Sequence, residues 1–213
     1  MSIWVKVCAN TSFEDATLAA DAGADAVGFV FAASPRQVSV ADVAGITVNL
    51  PLSIEKIGVF VDASFEEIEK AVRICRLTGV QVHSGRAADL TARLRERFGD
   101  GLRIISVLHF ESGETQKLLL PEDPSVDAVL VDSRTATAIG GTGTSYDWNA
   151  AAPSFRKATV KLIAAGGLTP ANVQEAIEKL NPWGVDVASG VELSPGRKNP
   201  EKVREFVRNA RGI

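Results

Sequence analysis

The chain has 213 residues, of which 46% are hydrophobic, 23% are charged and 6% are aromatic, so it can bury a sizeable core. This composition excludes a disordered, collagen-like or disulfide-scaffold protein, and a net charge of −3 argues against a nucleic-acid partner, which needs a basic surface. The two cysteines, Cys8 and Cys75, are too few for a disulfide framework and are expected to be free thiols in a reducing compartment.

The first residues lead directly into a short apolar run, without a basic leader or a small-residue cleavage site. The other apolar runs, such as 126–131, fall far short of the roughly 20 residues needed to cross a bilayer. We therefore expect a cytoplasmic location and no membrane partner.

Eight runs rich in Val, Ile, Leu and Phe recur through the chain without clean polar alternation, which is typical of strands buried on both faces. Their starts are roughly 22 to 33 residues apart, close to the length of one strand, a crossover helix and a return. The predicted strands are 4–7, 26–31, 56–61, 80–83, 103–108, 128–132, 161–164 and 184–187.

Helix start signals stand between several of these strands. Two capping boxes are predicted at Thr11-Ser12-Phe13-Glu14 and Ser64-Phe65-Glu66-Glu67, in which a hydroxyl and a carboxylate satisfy backbone donors at the helix N-terminus. Thr169-Pro170 and Asn199-Pro200 each place a capping side chain before a proline at the first helical position. We expect a helix to begin at each of the four.

Helix ends are marked by Gly23 and Gly79, where a left-handed C-cap is expected. The fifth unit, at 113–120, carries the weakest helical pattern. Eight strand and helix alternations without a linker predict an α/β protein, a single (βα)8 TIM barrel domain over 1–213. An open, doubly wound sheet is the structural alternative.

Active sites of such barrels lie at the carboxyl ends of the strands. On the first strand, Lys6 and Cys8 are two residues apart and share the inward face, while Val5 and Val7 face the helices. An ammonium beside Cys8 favours its thiolate, which would be a base or a nucleophile. A lone cysteine is more often a small buried apolar residue, which is how we interpret Cys75.

Asp132 closes the sixth strand, where a partly desolvated carboxyl can stay protonated and act as an acid. A surface aspartate that caps the following turn is an equal alternative.

Glycine-rich loops follow the last three strands, at 140–143, 165–168 and 189–191. Such loops let backbone amides approach an anion, and barrel phosphate sites are built from the last loops of the chain. Any one loop could be a simple turn, but their joint position predicts phosphate binding.

Arg36 follows the second strand in Ser34-Pro35-Arg36, and its planar guanidinium suits a carboxylate or a phosphate. A solvated loop arginine is the alternative. His83 and His109 could line the mouth or be structural histidines. No cluster has the spacing of metal ligands, so neither a metal nor a cofactor is implied.

These residues in this order resemble the phosphoribosylanthranilate isomerases, (βα)8 enzymes of tryptophan biosynthesis. The similarity runs from Lys6 to about Arg208. The matching segments are Lys6-Val7-Cys8-Ala9, Gly23-Ala24-Asp25-Ala26-Val27-Gly28-Phe29-Val30-Phe31, Ser34-Pro35-Arg36, Gly58-Val59-Phe60-Val61, Val80-Gln81-Val82-His83, Asp132 with Gly140-Gly141-Thr142-Gly143, Tyr146-Asp147-Trp148, Ala165-Gly166-Gly167-Leu168 with Asn172-Val173, and Gly184-Val185-Asp186-Val187 with Ser189-Gly190-Val191-Glu192.

The resemblance implies an Amadori rearrangement of N-(5-phosphoribosyl)anthranilate to 1-(2-carboxyphenylamino)-1-deoxyribulose 5-phosphate, a small-molecule substrate handled without cofactor or metal. It implies that Asp132 is the general acid and Cys8 the general base. The residues implied to bind the rest of the substrate are Lys6, Arg36, His83 and Asp186. Those implied to bind the phosphate are Gly141, Thr142, Gly143, Ala165, Gly166, Gly167, Ser189 and Gly190.

The chain departs from the family pattern at three places. Ala9-Asn10 replaces Gly followed by an apolar residue, Ser84 replaces Gly, and Ala188 replaces a common Ser. None of these changes removes a residue with an implied catalytic role.

Two alternatives stay open at this point because fold alone does not fix function. One is another phosphosugar barrel, such as indole-glycerol-phosphate synthase or a broad-specificity isomerase. The resemblance implies that the latter uses two aspartates as acid and base, where this chain has Cys8 and Asp132. The other is a silent paralogue that only binds a sugar phosphate. The sequence predicts no oligomeric state.

Overall fold

The computed structural model describes residues 2–83, 87–111, 123–134 and 147–213. Eight parallel strands close into a barrel in chain order, and the first strand pairs with the eighth. The (βα)8 prediction is therefore confirmed, and the open sheet is wrong. The strands are β1 Trp4–Val7, β2 Ala26–Val30, β3 Glu55–Val61, β4 Gly79–His83, β5 Arg103–Glu111, β6 Ala128–Arg134, β7 Lys161–Ala164 and β8 Gly184–Val187.

Seven α-helices lie in the described ranges, and the predicted helix at 113–120 falls outside them. None of the described helices is long and apolar enough to cross a membrane. The helices are α1 Phe13–Asp21, α2 Val40–Thr47, α3 Phe65–Ile74, α4 Ala87–Phe98, α5 Trp148–Lys157, α6 Val173–Leu180 and α7 Pro200–Arg211. After β8 come a 3-10 turn, Ser189–Val191, and a hairpin of β9 Glu192–Ser194 and β10 Arg197–Lys198.

Two of the predicted helix starts are confirmed. Ser64 caps α3 in a reciprocal box with Glu67. Asn199 accepts hydrogen bonds from the amides of Glu201 and Lys202, with Pro200 in the first turn of α7. In both cases a short polar side chain satisfies amides that have no partner inside the helix.

The other two helix starts are corrected. Ser12, and not Thr11, caps α1, because the Thr11 hydroxyl instead donates to the carbonyl of Gly196. The helix after Thr169 begins only at Val173, since a turn closed by the bond from the Asn172 amide to the Thr169 carbonyl comes first.

The two predicted helix ends differ. Gly23 follows Ala22, the C-cap residue of α1, and has a φ of 89°, as predicted. After α3 the left-handed residue is Arg76, with a φ of 49°, and Gly79 already opens β4. Gly79 is needed for space there, because a Cβ would lie 2.6 Å from Ile57 Cδ1 and 2.9 Å from the Arg103 carbonyl.

The barrel interior and the helix layer form two separate cores. Residues that alternate along the strands point inward and fill the lower barrel, and the stacked rings of Trp4 and Trp183, 5.1 Å apart, lie at the end where the strands begin. Val5 and Val7 pack with the helices, so Lys6 and Cys8 point inward, as predicted. The amino end of the barrel is therefore packed, and the polar side chains collect toward the carboxyl end.

Candidate active site

An ion pair inside the barrel ties β1 to β8. The Lys6 side chain is fully buried, and its Nζ lies 2.8 Å from Asp186 Oδ1. The two residues are register partners on adjacent strands, which brings their side chains to the same level. A buried ammonium without such a partner would cost several kcal/mol, so Lys6 and Asp186 require one another.

Gln81, on β4, is the third member of this buried group. Its Oε1 accepts a hydrogen bond from Lys6 Nζ at 2.9 Å, and its Nε2 lies 3.1 Å from His83 Nε2. The sequence analysis did not single out Gln81. A signal was available, because Gln81 stands two residues before His83 and so shares its inward face.

Cys8 lies directly above Lys6 at the end of β1, and its side chain is buried. Gly28 on β2 makes room for both, since a Cβ at that position would lie 2.7 Å from Cys8 Sγ and 3.0 Å from Lys6 Cε. The sequence places a thiol and a lysine together, and the missing side chain of Gly28 lets them fit.

Burial raises the pKa of the Cys8 thiol, the charge of Lys6 lowers it, and the net pKa lies above the ordinary value. The predicted effect of Lys6 has the right sign, but burial is the larger influence, and Asp186 opposes Lys6 as well. At neutral pH the group is therefore mainly a thiol.

Replacing Lys6 with Met is expected to slow alkylation of Cys8 and to shift its pH profile to higher pH, because the thiolate loses its nearest cation. The rate is measured against pH by iodoacetamide labelling in a Cys75→Ser background, so that only Cys8 reports. Lys56→Met is the matched control, since Lys56 is buried at the opposite end of the barrel and donates to the carbonyls of Pro51 and Ile54. An unchanged profile in Lys6→Met would contradict the electrostatic role.

Asp132 lies on β6, three strands round the barrel from β1. Leu130, two residues earlier, is in the inner core, so Asp132 points to the same inward side. Its register partner is His109 on β5. The strand continues beyond Asp132 to Arg134, so the predicted end at Asp132 is two residues short.

Arg36 is not a solvated loop arginine. Its Nε lies 3.0 and 3.1 Å from the two carboxylate oxygens of Glu192, and its Nη2 lies 2.8 Å from Oε2. This bidentate pair raises the pKa of Arg36 and helps to hold the pKa of Glu192 below its usual value. One edge of the guanidinium is thus fixed, which orients the remaining nitrogen, Nη1.

Lys198 links Glu192 to the backbone of Cys8. Its fully buried ammonium lies 3.2 Å from Glu192 Oε1 and donates to the Cys8 carbonyl at 2.6 Å. A weaker bond of 3.4 Å reaches the carbonyl of Ala188. The sequence analysis assigned no role to Glu192 or Lys198, because they pair across a short hairpin that carries no strong strand pattern.

The loops after β7 and β8 contact one another. Gly166 and Gly167 have φ values of 79° and 68°, which turn the chain sharply after Ala165. A Cβ on Gly190 would lie 1.9 Å from the carbonyl of Leu168, so only glycine fits there. This brings the second and third predicted phosphate loops together, with Ser189 opening the 3-10 turn. Gly141, Thr142 and Gly143 lie outside the described residues.

The departures near Cys8 have a structural account. Ala9 has a φ of 62°, a left-handed conformation that glycine adopts without strain, which fits the family preference for Gly. Asn10 is buried, and its Nδ2 donates to the carbonyls of Val7 and Gly28, tying the ends of β1 and β2 together. Ser84 lies outside the described residues.

The barrel is closed, and ionisable side chains collect at the carboxyl ends of its strands. Together these features define a (βα)8-barrel enzyme. Among the described residues, no group of three His, Cys, Asp or Glu side chains could hold a metal ion. The chain matches the family described as N-(5'-phosphoribosyl)anthranilate isomerase over residues 5–209. It therefore belongs to this family and is an isomerase of tryptophan biosynthesis.

Individual relatives agree with the family assignment. The isomerase of Pelobacter propionicus is 41% identical over 210 residues, which cover 98% of this chain and 96% of the relative. That of Geobacter sulfurreducens is 40% identical over 209 residues and 98% of each chain.

Solved structures give the same result. Monomers generated from the dimeric Thermotoga maritima isomerase have a TM-score of 0.84 at 32% identity, over 99% of this chain and 100% of that one. A phosphoribosyl anthranilate isomerase in complex with reduced 1-(o-carboxyphenylamino)-1-deoxyribulose 5-phosphate has a TM-score of 0.81 at 30% identity, with the same coverage.

Proposed function

We propose that this protein converts N-(5'-phosphoribosyl)anthranilate to 1-(2-carboxyphenylamino)-1-deoxyribulose 5-phosphate, with Asp132 as general acid and Cys8 as general base. The observation that carries the proposal is the position of Cys8. It is buried at the carboxyl end of β1 and points into the barrel, with Lys6 below it and the Lys198 ammonium bound to its backbone carbonyl. A thiol in this surrounding is shielded from bulk water.

The first step opens the sugar ring. Asp132 donates its proton to the furanose oxygen, the bond between that oxygen and C1' breaks, and the anthranilate nitrogen forms a protonated Schiff base with C1'. The carboxyl is left as a carboxylate, which is a stable product of the proton transfer.

The second step moves the double bond. The Cys8 thiolate takes the proton from C2', and the electron pair of that C–H bond flows toward the iminium nitrogen to give an enolamine. The enolamine then tautomerises to the ketone. Because burial raises the pKa of Cys8, the thiolate is scarce at neutral pH, but it is a stronger base once formed.

Arg36 is proposed to hold the anthranilate carboxylate through Nη1, the nitrogen that makes none of the hydrogen bonds to Glu192. Asp186 is proposed to bind a sugar hydroxyl through its second carboxylate oxygen. Lys6 is fully buried and holds Asp186 in place through their ion pair. His83 is proposed to contact the substrate at the end of β4.

The phosphate is proposed to bind the contiguous loops after β7 and β8, at Ala165, Gly166, Gly167, Ser189 and Gly190, together with Gly141, Thr142 and Gly143. Their support is the contact between the two described loops, which places several backbone amides in one region. We also propose that the enzyme acts in the cytoplasm, which the two free cysteines support.

The proposal is tested by a fluorescence time course on freshly generated phosphoribosylanthranilate, with purified protein and a chelator present. Turnover that is unaffected by the chelator is expected. No turnover, with binding of the product still detectable by calorimetry, would contradict the proposed reaction and favour a binding role.

Arg36→Ala is expected to raise KM about 10- to 100-fold with little change in kcat, because a charge-assisted hydrogen bond of about 1.5–3 kcal/mol is lost equally in substrate and transition state. Arg204→Ala, on the exposed face of α7, is the control and should leave both constants unchanged. A fall in kcat with unchanged KM in Arg36→Ala would contradict the assignment.

A further inference from the structure

Three side chains form a hydrogen-bonded row across the barrel, from β1 to the mouth. Lys6 Nζ lies 2.9 Å from Gln81 Oε1, and Gln81 Nε2 lies 3.1 Å from His83 Nε2. Lys6 and Gln81 are buried, and His83 is half-buried at the end of β4. The last member of this row is the imidazole ring of His83, which the proposed function places against the substrate.

The chemistry of the donors fixes the direction of each bond. A lysine ammonium can only donate, so the atom of Gln81 that faces Lys6 must be the oxygen. The amide NH2 of Gln81 must then face His83. Because this NH2 can only donate, His83 Nε2 has to accept, and the single proton of a neutral ring has to stay on Nδ1.

The surroundings of His83 agree with a neutral ring. Burial, the neighbouring ring of His109 and the charge of Lys6 lower the pKa of His83 to about 4. The two imidazole rings are 5.7 Å apart. An imidazolium would set two donors against one another at Nε2, and the charge of Lys6 disfavours it as well.

Nδ1 of His83 is buried and has no hydrogen-bond partner in the described part of the chain. A buried N–H group without an acceptor costs about 1–3 kcal/mol, so a substrate oxygen that accepts from it would gain this energy on binding. The sugar hydroxyls of a ribose phosphate are acceptors of this kind.

We propose that Gln81 is a positioning residue that locks His83 in the neutral Nδ1–H tautomer, so that His83 serves the substrate as a hydrogen-bond donor and is unable to act as a base. An imidazole at the mouth would otherwise compete with Cys8 for the C2' proton. Since the basic lone pair of His83 is occupied by Gln81, Cys8 remains as the base. This inference rests on the proposed function, in which Cys8 takes that proton.

The test is 15N NMR of protein labelled on histidine, which shows directly which ring nitrogens carry protons. The chain has only two histidines, so in His109→Gln the two remaining ring-nitrogen signals both belong to His83. In the wild type we expect a neutral ring with its proton on Nδ1, unchanged between about pH 6 and 8. A positive ring at neutral pH, or a proton on Nε2, would overturn the proposal.

Gln81→Glu is the decisive variant because it keeps the shape of the side chain and turns the donor into an acceptor. The carboxylate still pairs with Lys6, but His83 must now donate from Nε2. We therefore expect one of two changes: the ring proton moves from Nδ1 to Nε2, or the ring takes up a second proton and becomes positive. Turnover is expected to fall up to about 10-fold, the value of one neutral hydrogen bond. Gln81→Met, which removes the donor, should yield a mixture of tautomers.

Circular dichroism confirms that each variant folds before the spectra are compared. A folded Gln81→Glu protein with the wild-type His83 spectrum would overturn the inference. The NMR result does not depend on Cys8, so the two proposals fail separately. If Cys8→Ser stays active while His83 carries its proton on Nδ1, the proposed base is wrong and the tautomer assignment stands.

Discussion

Asp132→Asn is expected to fold normally and to lose about 10² to 10⁴-fold in kcat, the usual contribution of a general acid. The amide that replaces the carboxyl has nearly the same shape, but it has no acidic proton to give to the ring oxygen. The expected loss therefore reports proton transfer rather than packing. Fluorescence time courses under saturating substrate provide the measurement.

Asp127→Asn is the matched control because Asp127 stands at the other end of the same strand. Its carboxylate accepts from Arg95 at 2.7 Å and from the Ile104 amide at 2.7 Å, so this change should lower stability and leave kcat unchanged. If Asp132→Asn kept activity within a few-fold of wild type, the acid would have to be another group at the mouth, and His109, its register partner, would be the first to test.

The barrel could be predicted from the sequence because its signals are local. Each strand is a short apolar run, and the alternation of side chains along a strand already places Lys6 and Cys8 on one face. The boundaries were less accurate where turns compete with caps. Thr169-Pro170, for example, opens a turn before α6, since Asn172 closes that turn with its own backbone amide.

The connections within the site could not be predicted because they join residues far apart in the chain. Lys6 and Asp186 are separated by 180 positions, and Lys198 reaches Cys8 across 190. Nothing local to Glu192 indicates that its carboxylate holds Arg36. Such contacts depend on strand register and on barrel closure, which only the folded chain defines.

These connections also change how the predicted residues act. The sequence analysis pairs Lys6 with Cys8, whereas in the folded chain Lys6 also forms an ion pair with Asp186, which opposes its effect on the pKa of Cys8. Similarly, the sequence analysis considers Arg36 alone, whereas in the folded chain one edge of its guanidinium pairs with Glu192. The site therefore contains side chains that ion pairs orient before the substrate binds.

Cys8→Ser is expected to lower kcat by about 10² to 10⁴-fold while the substrate still binds, because a hydroxyl is far harder to deprotonate than a thiol. Cys75→Ser is the matched control. Cys75 is also buried, and its thiol donates to the Val40 carbonyl, but it lies at the end of α3, so its replacement should leave kcat unchanged.

A loss of activity in Cys8→Ser would by itself also fit a purely structural role for the thiol, and Cys8→Asp separates the two. A carboxylate at this position is a base whose ionised form the neighbouring ammonium of Lys6 favours. If Cys8 acts as a base, Cys8→Asp should be more active than Cys8→Ser, and its pH profile should move to lower pH because a carboxyl ionises more readily than a buried thiol. Equal inactivity of the two folded variants would show that the reaction needs the thiol for something other than proton transfer.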